Sequence, residues 1–188
     1  MNRREAVQYI SLLLGGTMVG SNVFLSGCKS NTNTGVSTSF TDADIFLLDE
    51  IADTILPATQ TPGAKAAKTG QFMTVMVNDC YEEIDQKVFH EGMKKLDDFS
   101  NKTYNLPFLK INPQQRHDLL VKLDNEQKEY MKNKKQDEPS HYFRMMKELT
   151  LLGYFTSETG CTKARRYVER PGKYEGDIPY KKGDKAFA

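Results

Sequence analysis

Residues 141–155 read HYFRMMKELTLLGYF, and nine of these fifteen positions carry large apolar side chains. They are Tyr142, Phe143, Met145, Met146, Leu149, Leu151, Leu152, Tyr154 and Phe155, which is more than one helix face can hold. A helix apolar nearly all round is either the centre of a bundle or covered on its second side by something else. Both outcomes place this segment at the heart of an all-α fold.

Upstream, four further segments show helical spacing. Thr41 with Asp44 three residues on forms a capping box, and Ile45, Leu48, Ile51, Ala52 and Ile55 share one face until Pro57 stops the run. The linker 58–68 (ATQTPGAKAAK) carries the turn signal Pro62-Gly63. Phe72, Met73, Val75, Met76, Val77 and Cys80 then mark a second apolar segment. Ile84, Val88, Phe89, Leu96 and Phe99 predict a third helix with charged intervening positions. Asn112-Pro113 is an N-cap followed by Pro at the first helical position, and Gln115 completes the box. Leu119, Leu120, Leu123, Gln127 and Tyr130 line one face of that fourth helix, with Lys122, Lys128 and Lys132 on its solvent side.

Downstream the periodicity ends. Residues 158–188 hold Pro171-Gly172, Gly176, Pro179 and Gly183, with Tyr167, Tyr174, Tyr180 and Phe187 spaced among charges. This composition forms turns and extended pieces, and its aromatic residues argue against a free tail. The expectation is an arm lying across the helices or across a partner. The architecture predicted is therefore an irregular bundle of about five helices with a loop-rich C-terminal arm.

The first residues are of another kind. Arg3-Arg4 is followed by an uncharged, largely apolar stretch from Tyr9 to Phe24, too short to span as a mature helix, and then by Leu25-Ser26-Gly27-Cys28. This is the pattern of an export signal. Its ending resembles the lipobox of bacterial lipoproteins, in which cleavage before the Cys makes it the acylated first residue, here Cys28. Several acyl chains on one residue hold a protein to a membrane essentially permanently. The expected domains are a signal at 1–27, a lipidated Cys with a flexible Ser/Thr/Asn/Gly-rich tether at 28–40, and a helical domain at 41–188 that includes the arm at 158–188. Export by the twin-Arg or by the general secretory route stays open.

Composition bounds what remains. From residue 28 onward the chain has 24 basic and 24 acidic residues, so no polyanion-binding field follows from that balance. Ten Phe, nine Tyr and eight Met supply apolar bulk in the absence of Trp. Beyond the signal there is no second stretch long and apolar enough to span a membrane.

Chemical motifs are sparse. The chain has no C-x-x-C-H, H-E-x-x-H, G-x-S-x-G, P-loop or G-x-G-x-x-G. His90, His117 and His141 fall on different elements and read as surface residues. Glu82-Glu83 and Asp97-Asp98 read as solvated carboxylates. No catalytic, cofactor-binding or metal-binding residue is assigned. Cys80 and Cys161 could close a loop of about 80 residues, a stabilisation of roughly 4 kcal/mol by loop entropy, and each also fits a small buried hydrophobe.

Taken in order, FTDADIFLLDEIADTILPATQTPGAKAAK, a helix ending in Asn78-Asp79-Cys80-Tyr81, HYFRMMKELTLLGYFTSETG and RYVERPGKYEGDIPY resemble the gluconate 2-dehydrogenase subunit 3 family. The most specific matches are Ile51 to Pro57, Thr61-Pro62-Gly63-Ala64, Phe143 to Ser157 and the Pro-Gly-x-Tyr-x-Gly at 171–176. The resemblance implies a non-catalytic small subunit that binds no cofactor itself. Its expected partner is a large FAD-dependent dehydrogenase of the glucose-methanol-choline (GMC) type, often with a multihaem cytochrome c, oxidising sugars or sugar acids on the periplasmic side of a bacterial membrane. Such a subunit commonly bears a twin-Arg signal and accompanies the folded flavoprotein across the membrane. The surplus of aromatics in the fifth segment and the arm makes Phe143, Arg144, Lys147, Tyr154, Phe155, Tyr167, Arg170 and Tyr174 the candidate partner interface. Two rivals stand beside this reading. One is a free-standing lipoprotein that binds a glycan or peptide through the arm. The other is an enzyme using a pair such as His141 with Glu148 or Asp53.

Overall fold

Thr41 accepts a hydrogen bond from Asp44 N on its hydroxyl and returns one from its own N–H to the Asp44 carboxylate at 2.8 Å, so the capping box closes and α1 begins. This computed structural model describes residues 39–170, 172–173 and 176–188. The export signal, Cys28, the tether and Tyr174 lie outside the described residues.

Five α-helices follow one another: α1 Asp42–Ile55, α2 Thr69–Cys80, α3 Glu83–Tyr104, α4 Pro113–Asn133 and α5 Tyr142–Thr156. Short 3₁₀ turns sit at Ala64–Ala67 and Phe108–Lys110, and a π-helical turn at Gly160–Ala164. The second predicted box closes too, with Asn112 Oδ1 accepting from Gln115 N at 2.8 Å and Pro113 opening α4. Asn105 ends α3 in the left-handed conformation, φ 54°, which its short polar side chain tolerates. No strand occurs among the described residues.

The centre of the bundle is α5, which packs against all four other helices. It buries Tyr142, Phe143, Met145, Met146, Leu149, Thr150, Gly153 and Tyr154, a broad face of about half its circumference. Around it Leu48 and Ile51 of α1, Met73 and Val77 of α2, Phe89 and Leu96 of α3 and Leu119 and Leu123 of α4 are sealed from solvent. Each such side chain stabilises the fold by about 1.5–3 kcal/mol relative to exposure. One anchor comes from outside the helices: Phe108, on the turn between α3 and α4, is fully buried.

Several expectations need correction. His90 and His141 are buried rather than on the surface, while His117 is exposed. His90 stacks on Phe40 at 4.2 Å between ring centroids, and His141 caps α5 by accepting a hydrogen bond from Phe143 N on Nδ1. Helical periodicity marks which face is apolar, but the polar residues that the core also encloses leave no periodic trace. Cys80 and Cys161 are free thiols and close no loop. Cys80 is exposed at the end of α2, and the Cys161 thiol donates to Phe155 O at 3.3 Å within the turn after α5. Ile84 and Val75, placed on apolar faces by their spacing, are about half exposed.

The arm does not lie across the helices. Every described residue from Arg166 onward is exposed, and the chain closes on itself. Arg166 N donates to Ala186 O at 2.8 Å and Ala188 N to Arg166 O at 3.3 Å, an isolated parallel bridge between Arg166 and Phe187. The Arg166 guanidinium covers the Phe187 ring at 3.8 Å. Arg166 is thus pinned to the last residues of the chain.

Candidate docking surface

The helix α5 has one face that the bundle leaves uncovered. Arg144, Glu148, Leu151 and Phe155 follow at spacings of four, three and four residues, which places them on one side of a helix, and Leu152, four after Glu148, lies beside them. Leu151 is 39% exposed and Leu152 47%. Arg144 Nε and Glu148 form an i,i+4 ion pair beside them. The Arg165 guanidinium lies 4.9 Å over the Phe155 ring, so Phe155 is half-buried beneath a cation. The result is an apolar strip flanked by charge at both ends.

Of the eight residues predicted for an interface, Phe143 and Tyr154 do not reach this surface. Phe143 is 2% exposed and Tyr154 3%. Both belong to the core, because α5 uses most of its apolar surplus inside the bundle. Arg144 and Phe155 stand on the outer strip. Lys147 lies toward α4, where its Nζ donates to Asp124 Oδ1 at 2.6 Å. Tyr167 and Arg170 are exposed on the arm. Sequence reasoning counted Leu151 and Leu152 among the apolar residues of α5 without choosing them; the position of Leu151 opposite Leu149 and Gly153 on the helix wheel was the available signal, and Leu152 gave none.

Polar groups on α1, α4 and the linkers hold the framework. Glu50 of α1 receives both Arg116 of α4 and Lys65 of the 3₁₀ turn. Burial raises the Glu50 carboxyl, but the two cationic hydrogen bonds outweigh it and leave it below the ordinary carboxylate range. Arg116 also donates to Phe108 O at 3.2 Å and Leu109 O at 2.7 Å, tying the α3–α4 connection to α1. Asp49 accepts from Gly70 N at 2.7 Å at the start of α2, and burial pushes its carboxyl upward despite that bond. Asp53 takes Lys65 N at 3.4 Å. A Cβ at Gly63 would overlap Asp53 Oδ1 and Ala58 N, so only glycine fits where the linker folds against α1. Tyr154 donates from its hydroxyl to Pro62 O at 2.6 Å.

Between α4 and α5 a second set operates. Asp124 accepts from Lys147, Lys128 and Gln127. Burial opposes ionisation there, yet these partners bring its carboxyl down to about 2. His141 Nε2 faces Glu126 at 3.7 Å, its ring packs 4.4 Å from Tyr142 and 5.5 Å from Tyr130, and burial holds its pKa below the ordinary value. The pairs His141 with Glu148 or with Asp53 do not form: Glu148 is engaged by Arg144, and Asp53 by the linker backbone. Among the described residues no group of three or more His, Cys, Asp and Glu is arranged to hold a metal ion, and no helix is long and apolar enough to cross a membrane.

These features define an all-helical bundle whose partly buried ion pairs tie its own elements together and whose central helix keeps one apolar strip exposed. The chain belongs to the gluconate 2-dehydrogenase subunit 3 family, whose profile matches residues 42–172. That span runs from the first residue of α1 through all five helices into the arm, and it includes the corner built by Glu50, Gly63, Lys65 and Arg116. The family is named for one subunit of a multi-subunit dehydrogenase. No curated protein and no solved structure matches the chain.

Proposed function

We propose that this chain is the non-catalytic small subunit of an exported FAD-dependent dehydrogenase of the GMC type, acting on a sugar or sugar acid. It escorts or stabilises the catalytic flavoprotein and holds it at the periplasmic side of a membrane through a lipid on Cys28. FAD, and haem c where a cytochrome subunit is present, belong to the partners. Arg3 and Arg4 serve export, and Leu25, Ser26 and Gly27 lead into the cleavage site.

The observation that carries the docking half of this reading is the exposure of Leu151 and Leu152 on a family-matched helix whose other face is core. Adjacent leucines in water on the central helix are what a covered interface leaves behind when its partner is removed. Arg144, Phe155 and the neighbouring Lys147 extend the same face. Interfaces of this kind place an apolar centre inside a polar rim.

The test is co-purification from solubilised membranes. Leu151→Glu with Leu152→Glu should release the flavoprotein while changing the stability of the bundle by no more than about 0.5 kcal/mol, as surface substitutions usually do. Retention of a stoichiometric flavoprotein by that double variant would remove the α5 face from the interface. Cys28→Ala should move dehydrogenase activity from the membrane to the soluble fraction, and Arg3→Lys with Arg4→Lys should retain it in the cytoplasm if export is by the twin-Arg route. Glycan binding by the purified chain with no second protein present would favour the free-standing lipoprotein instead.

A further inference from the structure

The near-neutral total charge conceals a division. Residues 158–188 carry eight basic and five acidic side chains, whereas residues 39–157 carry fifteen basic and nineteen acidic. The arm is a cationic appendage on an anionic bundle. Its base is closed by the Arg166–Phe187 bridge, and Lys185 Nζ donates to Lys163 O at 2.5 Å in the same place. Lys181 N donates to Asp184 Oδ2 at 2.9 Å and Asp184 N to Lys181 O at 3.0 Å, so a tight turn presents Ile178, Pro179, Tyr180, Lys181 and Lys182 outward. Tyr180 is 78% exposed and Ile178 46%.

We propose that this loop is a membrane-contacting surface that lies on an anionic bilayer, with Tyr180 and Ile178 at the headgroup level and Arg170, Lys181 and Lys182 over the phosphates. Aromatic and aliphatic side chains beside lysines are the chemistry of interfacial contact, and Tyr places an apolar ring and a polar tip where a bilayer offers both environments. The geometry of attachment supplies the second argument, and it rests on the lipidation of Cys28 proposed above. The eleven residues from Lys29 to Ser39 reach at most about 36–40 Å when fully extended, so a lipid on Cys28 keeps the domain within roughly its own diameter of the membrane. Within that distance a negative surface attracts the cationic loop and repels the anionic bundle, which sets the orientation of the subunit. The loop then faces the bilayer and leaves the α5 strip to the protein partner.

The experiment uses residues 28–188 with Cys28→Ala, which retain every described core residue and cannot be lipidated. Binding is measured by co-sedimentation with vesicles of phosphatidylglycerol and phosphatidylcholine in equal parts and with vesicles of phosphatidylcholine alone. The chain should bind the anionic vesicles and release from them at high salt, since a Debye length of about 10 Å at 0.1 M shortens as salt rises. Lys181→Glu with Lys182→Glu should weaken binding by about tenfold or more, because each cation near such a surface contributes about a fivefold factor. Tyr180→Ser should weaken it further, and circular dichroism should be unchanged in both variants because these side chains are exposed. Equal binding to both vesicle types, or full binding by the lysine variants, would overturn the proposal. So would loss of flavoprotein co-purification by the lysine variants with vesicle binding intact, which would assign the loop to the protein partner. Lipidation is read separately, from the membrane fraction of Cys28→Ala cells, so failure of one reading is not failure of the other.

Discussion

The Tyr154 hydroxyl donates to the Pro62 carbonyl oxygen at 2.6 Å, joining the last turn of the central helix to a linker 92 residues earlier in the chain. Tyr154 is otherwise buried, so this bond satisfies a hydroxyl that has left water. It fixes the linker between α1 and α2 against α5.

Tyr154→Phe removes that bond and keeps the ring. The expected cost is about 0.5–1.5 kcal/mol, read as a lower midpoint in urea with an unchanged slope. Flavoprotein co-purification should survive, since Tyr154 lies inside the fold. A loss of partner without loss of stability would return Tyr154 to the interface.

Glu50→Gln leaves Arg116 and Lys65 without their shared carboxylate. Arg116 is 17% exposed on its side chain, so its charge is mostly desolvated, and breaking such a pair costs about 1–3 kcal/mol after allowance for partial solvent screening. Because the Glu50 carboxyl is held below its ordinary value of 4.5, its contribution is complete above that range. It fades as pH falls through the lowered value. Acid titration of the urea midpoint should show this loss in the wild type and not in the variant.

Gly92→Ala tests the close approach of α3 to α5. A Cβ there would overlap the Tyr142 side chain, and Tyr142 opens α5. Overpacking of this kind costs about 1–3 kcal/mol, even though alanine favours the helix. Thermal unfolding that rises instead of falling would show that α3 and α5 can separate without penalty.

His141 should make the bundle sensitive to mild acid. Its Nδ1 accepts the Phe143 N–H, which requires an unprotonated nitrogen, and burial lowers its pKa below 6.5 despite Glu126. The unfolded chain therefore takes up a proton before the folded one does. Stability is full above about 6.5, the ordinary histidine value, and declines as pH falls through that value toward the lowered one. Lys95 adds to the depression, while Glu126 opposes it. His141→Asn keeps an acceptor at the N-cap, a position worth about 1 kcal/mol, and should remove this slope between pH 7 and 5. A slope that persists in the variant would place the titrating group elsewhere.

Local chemistry wrote the starts of α1 and α4 in full view. Thr41 with Asp44 and Asn112 with Gln115 are capping boxes whose partners lie three residues apart, so they are legible wherever they occur. The apolar rows through Leu48, Ile51 and Ala52, and through Leu119, Leu120 and Leu123, likewise named the buried face. The density of residues 141–155 identified the central helix, and the order of motifs identified the family. All of these signals are short-range, or are patterns along the chain.

Tertiary structure decided which of those residues meet. Glu50 and Arg116 are 66 positions apart, and nothing along the chain couples them until α1 and α4 pack. Phe108 lies on a three-residue turn without periodicity, yet it is fully buried. His90 and His141 look like surface residues until Phe40 and Tyr142 close over them. On α5, composition declared an apolar surplus but could not divide it: Phe143 and Tyr154 went inside, while Leu151 and Leu152 stayed in water. That division depends on the angles at which four other helices approach, which is a property of their packed surfaces and not of any local stretch of sequence.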